Sequence, residues 1–230
     1  MTVADPALVE GLRSQLQARE GALAGGAEHR GWKAGFGTAA AKELLGTGGP
    51  LVGYLTEATL LESGAAVDVS GWGKAVLEPE AALLLDADIA GDADAEAAAA
   101  SVGAVAAAIE LVDLGEAGGD PGLILAANVF HRHYLLGDPA PIADREALDR
   151  VRIDVLADGE EIATGADPRD ALGDLAQVLA DLAALLATGG EALRAGDAII
   201  TGSAIPALAL SGGERVEVHL DSSRVGVRIR

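Results

Sequence analysis

The stretch Val76-Leu77-Glu78-Pro79-Glu80-Ala81 sets two carboxylates two residues apart inside an apolar run that continues to Leu85. Read as a strand, the run points Glu78 and Glu80 to one face and turns Pro79 to the other. Two like charges on an otherwise apolar strand repel each other and are costly to bury, and a cation shared between them is the natural compensation. The stretch therefore predicts a divalent-metal site.

The absence of cysteine excludes disulfides, thiolate ligands and cysteine nucleophiles, and leaves any metal to oxygen or imidazole donors, as suits magnesium, manganese or calcium. With 230 residues and a 50% hydrophobic fraction, the chain can fill a substantial core. A formal net charge of -20 provides no net cationic field toward phosphate backbones or anionic lipid, so neither nucleic acid nor a membrane is expected as a partner. Asp5, Glu10, Arg13, Arg19 and Glu20 match neither a signal peptide nor a transit peptide, and the alanine run at 95–100 is too short to span a bilayer, so the expected location is cytoplasmic.

Asp5-Pro6 followed by Leu8, Leu12, Leu16 and Leu23 predicts a helix over 6–24, stopped at Gly25-Gly26 and used for packing or subunit contact. In Arg30-Gly31-Trp32-Lys33-Ala34-Gly35-Phe36-Gly37, large residues alternate with glycines. Backbone or ligand can then approach closely around Lys33, which sits beside an anion or is solvated next to a turn. A short helix over 38–45 closed by Gly46 and an edge strand or loop over 50–55 follow. Residues 65–69 lead through Gly71 and Gly73 into the Glu78/Glu80 strand. Asp86, Asp88, Asp92 and Asp94 lack the terminal glutamate of an EF-hand and read as a solvated acidic turn.

After a helix at about 93–102, the run 104–112 suits a buried strand or a helix-to-strand junction. Glu110 lies in it between Ile109 and Leu111; a lone buried glutamate needs a partner, which makes it the natural third ligand. A glycine-rich loop at 115–122 and an apolar stretch at 123–127 deliver Asn128-Val129-Phe130-His131-Arg132-His133-Tyr134. His131 and His133 could ligate a metal from one strand face. No His/Cys companion stands at zinc-like spacing, so a structural or pocket-lining role is the expectation. Asp158-Gly159 between alternating runs at 151–156 and 161–164 predicts a two-residue hairpin. One helix is expected over 172–186, with strands over 198–201, 215–220 and 225–230. Many strands, three or four helices and no βαβ rhythm give an α+β class.

In order and spacing these motifs resemble the 2-hydroxypenta-2,4-dienoate (2-keto-4-pentenoate) hydratases of the fumarylacetoacetate hydrolase superfamily. The resemblance covers roughly 30–230. It rests on Gly31-Trp32-Lys33-Ala34-Gly35, on Leu45-Gly46 through Pro50 and Gly53-Tyr54-Leu55, and on Glu78-x-Glu80 with Glu110 about thirty residues on. Leu193-Arg194-x-Gly196-Asp197 and Thr201-Gly202-Ser203 complete it. It implies a mixed β-roll of the fumarylacetoacetate hydrolase C-terminal-domain type over 30–230, after an N-terminal helical segment over 1–29, in a homo-oligomer. It also implies Mg²⁺ or Mn²⁺ held by Glu78, Glu80 and Glu110, and a 2-oxo acid substrate reacting through a metal-chelated enolate. Lys33 would be catalytic; the family's usual acid falls on Ala58, which leaves Glu57 beside it as the acid/base candidate. Asn128 and Ser203 would bind substrate, joined by His131 and Arg132, which replace the family's small glycine-rich segment with bulk and charge.

The implied activity is hydration of an unsaturated 2-oxo or 2-hydroxydienoic acid, with decarboxylation of a 2-oxo diacid as its near neighbour. A competing reading is acylpyruvate C–C hydrolysis, for which Glu28-His29 is the available pair. A third is a non-catalytic scaffold that keeps the fold.

Overall fold

Residues 5–115 and 118–230 are described by a computed structural model, whose frame is two β-sheets meeting across one long strand. In chain order the elements are α1 (Pro6–Ala24), β1 (His29–Gly35), α2 (Ala39–Leu45), β2 (Leu51–Thr56), β3 (Ala66–Val67), β4 (Ala75–Leu85), α3 (Ala95–Ala100) and β5 (Val102–Asp113). There follow α4 (Pro121–Ala126), β6 (His131–Leu136), β7 (Ala140–Pro141), α5 (Arg145–Asp149), β8 (Ile153–Ala157), β9 (Glu160–Ala166), α6 (Pro168–Leu172) and α7 (Leu175–Thr188). The chain ends with β10 (Ala198–Ile200), β11 (Leu208–Ala209), β12 (Arg215–Leu220) and β13 (Ser223–Ile229).

The larger sheet runs β2-β1-β10-β4-β5-β6, with β11 also on β4 and β7 also on β5; the smaller runs β3-β13-β12-β8-β9. Most pairs are antiparallel, but β1 pairs with β10, and β13 with β3, in parallel. This is the mixed α+β roll that the resemblance implies. The sheets are pinned where the Ala107 N–H of β5 donates to Ser223 Oγ of β13 at 3.0 Å. Both faces of the central strands are covered, which is why β4 and β5 read as nearly continuous apolar runs.

Helix α1 spans the expected 6–24, with Asp5 accepting from Ala7 N and Pro6 in its first turn. Its buried Gln15 donates from Nε2 to the carbonyls of Val52 (2.8 Å) and Leu125 (2.7 Å), tying α1 to β2 and α4. Aspartate caps recur at Asp94, Asp120, Asp144, Asp167 and Asp174, so part of the chain's acidity satisfies helix N-termini. The hairpin falls where expected, with Asp158 and Gly159 at φ 52° and 85°. The 50–55 segment is an edge strand.

Several expectations are corrected. Seven α-helices are described rather than three or four. The apolar 123–127 stretch belongs to α4, launched by Asp120-Pro121. The run expected as one helix over 172–186 is two, because Gly173 (φ 80°) breaks α6 and Asp174 caps α7 afresh. Helix α3 stops at Ala100, and β5 already begins at Val102. The glycine-rich loop lies partly outside the described residues. No helix among the described residues is long and apolar enough to cross a membrane.

Candidate metal centre and its cavity

The two long antiparallel strands β4 and β5 set the acids. Their register places Glu78 opposite Glu110 and Glu80 opposite Ala108. Side chains two apart share a face, and one carboxylate oxygen from each of Glu78, Glu80 and Glu110 lies within 4.8 Å of the others. Glu80 and Glu110 are fully buried.

Their surroundings differ. Glu80 Oε2 accepts from the Gly202 N–H at 2.7 Å, while its Oε1 is buried with no hydrogen-bond partner. Burial, followed by the charges of Glu110 and Glu78, pushes the Glu80 carboxyl well above the ordinary glutamate range. At Glu78, burial against the opposing pull of Lys33, with Glu110 adding repulsion, raises the carboxyl to about 7. Glu110 goes the other way: burial would raise it, but Lys33 and His131 outweigh burial and hold it low.

Lys33 is carried on β1, opposite Gly53 of β2. Its side chain lies along that strand, where a Cβ on Gly53 would come within 2.7 Å of Lys33 Cγ. Nζ donates to Glu110 Oε1 at 2.6 Å and to the Val129 carbonyl at 3.3 Å. The side chain is only 1% exposed. Burial presses the ammonium toward neutrality, yet Glu110, Glu78 and Glu80 together win and raise its pKa. The downward shift that a dry pocket would bring is therefore reversed by the acids.

His131 lies behind Glu110, with Nδ1 2.7 Å from Glu110 Oε1 and Nε2 3.0 Å from Thr59 Oγ1. Thr59 Oγ1 in turn donates to the Thr56 carbonyl at 3.1 Å. The ring thus orients Glu110, in the way outer partners fix metal-ligating carboxylates.

Other candidates are placed elsewhere. Asn128 spends its amide on the edge strand, accepting from Tyr54 N at 2.8 Å and donating to Tyr54 O at 3.1 Å. Arg132, on the opposite face of β6 from His131, is exposed and bonds Asp113 Oδ2 at 3.0 Å. Ser203 lines the cavity, but its Oγ donates to the Ile205 carbonyl at 2.7 Å, which leaves it acceptor capacity only. Glu57 is exposed on a 3-10 turn, Glu57–Thr59, and is not among the cavity-lining residues. His29 bonds Asp197 Oδ1 at 3.0 Å, and Glu28 pairs with Arg30, so this pair also lies apart from the cavity. His133 stacks on Trp72.

A cavity of 380 Å³ opens beside Lys33 and Glu78, walled by Phe36, Val112, Leu114, Val129, Leu172 and Ile205, among others. Sequence reasoning did not single out Val129, Thr59 or Gly202 as working parts. Asn128, Val129 and Phe130 are successively left-handed, at φ 50°, 51° and 61°, a costly conformation for non-glycine residues. It turns the Val129 carbonyl onto Lys33 and seats its side chain against Gly35, where a Cβ would lie 2.4 Å from Val129 Cγ1.

Three hard oxygen donors, two of them fully buried and Glu80 with an unpartnered oxygen, fit a small divalent cation, and the cavity leaves room beside them for a chelating ligand. Without a cation the trio is balanced chiefly by Lys33 and the hydrogen bonds of His131 and Gly202.

Comparison with known proteins agrees with this architecture. The chain is 30% identical over 200 residues to a 4-oxalocrotonate decarboxylase from a Pseudomonas species, covering 86% of this chain and 77% of the relative. The structure of 4-oxalocrotonate decarboxylase from Pseudomonas putida G7 complexed with magnesium and adipate matches with TM-score 0.80 at 25% identity, over 94% of this chain and 83% of that one. A structure of the same enzyme complexed with calcium and acetate matches at 0.81, with the same identity and coverage. Fumarylpyruvate hydrolase from Pseudomonas aeruginosa, in complex with Mn²⁺ and pyruvate, shares the fold with TM-score 0.65 at 19% identity, over 88% and 89% of the two chains. The profile named fumarylacetoacetate (FAA) hydrolase C-terminal matches residues 31–228, and the chain belongs to that family.

Proposed function

We propose that this protein is a divalent-metal-dependent lyase that removes carbon dioxide from an unsaturated 2-oxo diacid, with Glu78, Glu80 and Glu110 as ligands to Mg²⁺ or Mn²⁺. The carrying observation is the convergent, largely buried carboxylate trio beside a cavity whose wall is otherwise mostly apolar. A cation held there supplies a Lewis acid for the carboxylate and 2-oxo oxygen of the substrate and stabilises the charge that gathers on that oxygen.

The protein's own part is positioning and proton supply. Glu110, fixed between Lys33 and His131, keeps one carboxylate in place, and Gly202 N–H does the same for Glu80. Lys33 Nζ, kept protonated by the acids, is the proton donor beside the cavity. The apolar wall excludes water from the carbon chain.

Decarboxylation calls for an electron sink and a proton donor. Hydration, the activity implied by the sequence resemblance, also calls for a group that activates water. Among the described lining residues the carboxylate is Glu78, already one of the trio, and Glu57 is not one of them. Hydrolysis of an acylpyruvate would use a His–Glu pair free to activate water, whereas His29 is engaged with Asp197, and His131 with both Glu110 and Thr59 and outside the cavity lining. The relatives named 4-oxalocrotonate decarboxylase support the same choice. The test is carbon dioxide release from 4-oxalocrotonate with Mg²⁺ and with a chelator. Metal-dependent release is expected. Hydration of 2-hydroxypenta-2,4-dienoate without any release of carbon dioxide would overturn the assignment.

A further inference from the structure

The cavity wall away from the carboxylates carries a second message. Among the described lining residues, the charged side chains are Lys33 and Glu78, and Lys33 is already bonded to Glu110. The hydroxyls are those of Thr38, which accepts from Ala41 N at 3.2 Å, and Ser203, which donates to Ile205 O at 2.7 Å. The remaining side chains are hydrocarbon: Phe36, Val112, Leu114, Val129, Leu172 and Ile205 form the bulk of the wall. A diacid chelated at the trio by its 2-oxo acid end therefore meets no free cation for its second carboxylate.

We propose that this wall is a specificity device that disfavours a charged distal carboxylate and favours its departure as neutral carbon dioxide. The inference rests on the decarboxylase reading for its chemistry, though its binding preference stands independently of turnover. In the step itself, the bond between the distal carboxylate carbon and its neighbour breaks. The electron pair moves through the conjugated double bond to the 2-oxo oxygen, carbon dioxide leaves, and one proton delivered from Lys33 Nζ yields the neutral enol of the remaining monocarboxylate. A charged carboxylate in a hydrocarbon wall is poorly solvated, while carbon dioxide is not penalised there. The same wall accepts the shorter, apolar-ended product.

The test compares two saturated ligands that cannot lose carbon dioxide by this route: 2-oxoadipate, with a distal carboxylate, and 2-oxohexanoate, with a methyl group in its place. Titration calorimetry on the Mg²⁺-loaded protein should show 2-oxohexanoate binding at least about 10-fold more tightly, the low end of the cost of a buried polar group left unpaired. Two variants add a cation to the wall, Leu114→Lys at a partly buried position and Ala207→Arg at an exposed rim position, so that one survives if the other does not fold. Either should tighten 2-oxoadipate selectively, and should lower KM and kcat together for 4-oxalocrotonate. Equal or tighter binding of 2-oxoadipate by the unaltered protein would overturn the proposal. If 2-oxohexanoate binds preferentially while no carbon dioxide is released from any diacid, the wall stands and the decarboxylase assignment falls.

Discussion

Glu78 and Glu110 occupy directly opposed positions on β4 and β5, where like charges destabilise a ladder. Glu80 adds a third acid to the same cluster, and Lys33 is the ammonium set against them. The fold therefore holds a charge imbalance at its centre, and its stability is linked to both protons and cations.

The pH dependence of the metal-free protein follows from Glu78, whose carboxyl rises from 4.5 to about 7 on folding, and from Glu80, which rises as well. Between pH 4.5 and about 7 the folded chain retains a proton on Glu78 that the unfolded chain has released, so stability from this group falls as pH rises through that window. Metal-free protein should melt at a lower temperature at pH 8 than at pH 5.5. Mg²⁺ at a concentration about 100 times its dissociation constant at pH 5.5 adds about 2.7 kcal/mol there, or about 5–10 °C for a chain of this size, and the same concentration adds more at pH 8. Thermal melts with Mg²⁺ and with a chelator at both pH values check this.

Glu80→Gln should lower Mg²⁺ affinity by more than about 100-fold, since it replaces one of three anionic donors. The metal-free fold should be retained, because an uncharged amide is cheaper to bury than a carboxylate. Calorimetric titration measures the first and chemical denaturation the second. Wild-type affinity would remove Glu80 from the ligand set.

Lys33→Met separates charge balance from catalysis. With its ammonium gone, Glu110 is left buried and under-compensated, and breaking such a pair costs about 3–5 kcal/mol in metal-free protein. Mg²⁺ should restore most of that stability and should bind no more weakly than to the wild type, since a competing cation has left. Turnover should still fall about 100-fold or more for want of the proton donor. Full activity in the loaded variant would remove Lys33 from the chemistry.

Gln15→Leu tests the mooring of α1. Two carbonyls, of Val52 and Leu125, lose their donor together, and unsatisfied buried polar groups cost about 1–3 kcal/mol each. Urea denaturation should show a loss of about 2–6 kcal/mol with metal affinity unchanged. An equal loss of affinity would mean that α1 shapes the site.

The carboxylate trio was legible because alternating acids on an apolar strand, and a lone acid on another, have no comfortable solution without a partner. The Asp5-Pro6 and Asp158-Gly159 signals were legible because each encodes a local backbone geometry. Asp120-Pro121 and Asp167-Pro168 carry the same helix-start chemistry, but their helices are too short to show a period. The rim residues were harder for a directional reason. His131 and Arg132 are neighbours in sequence, yet strand alternation sends His131 inward to Glu110 and Arg132 outward to Asp113. Asn128 turned to the Tyr54 backbone through a run of left-handed residues that steric preference alone argues against.

Strand β10 lies between β1 and β4, so the residues that close the larger sheet are synthesised well after both of the strands they join. A nascent chain that has reached residue 190 already carries Lys33 on one hairpin and all three glutamates on another, without the strand that hydrogen-bonds to both. When 198–200 emerges, β10 joins the two hairpins into one sheet, and Gly202 then arrives to orient Glu80. Such sequence-distant closure slows folding and leaves Glu80 without its Gly202 donor until that stretch has been made.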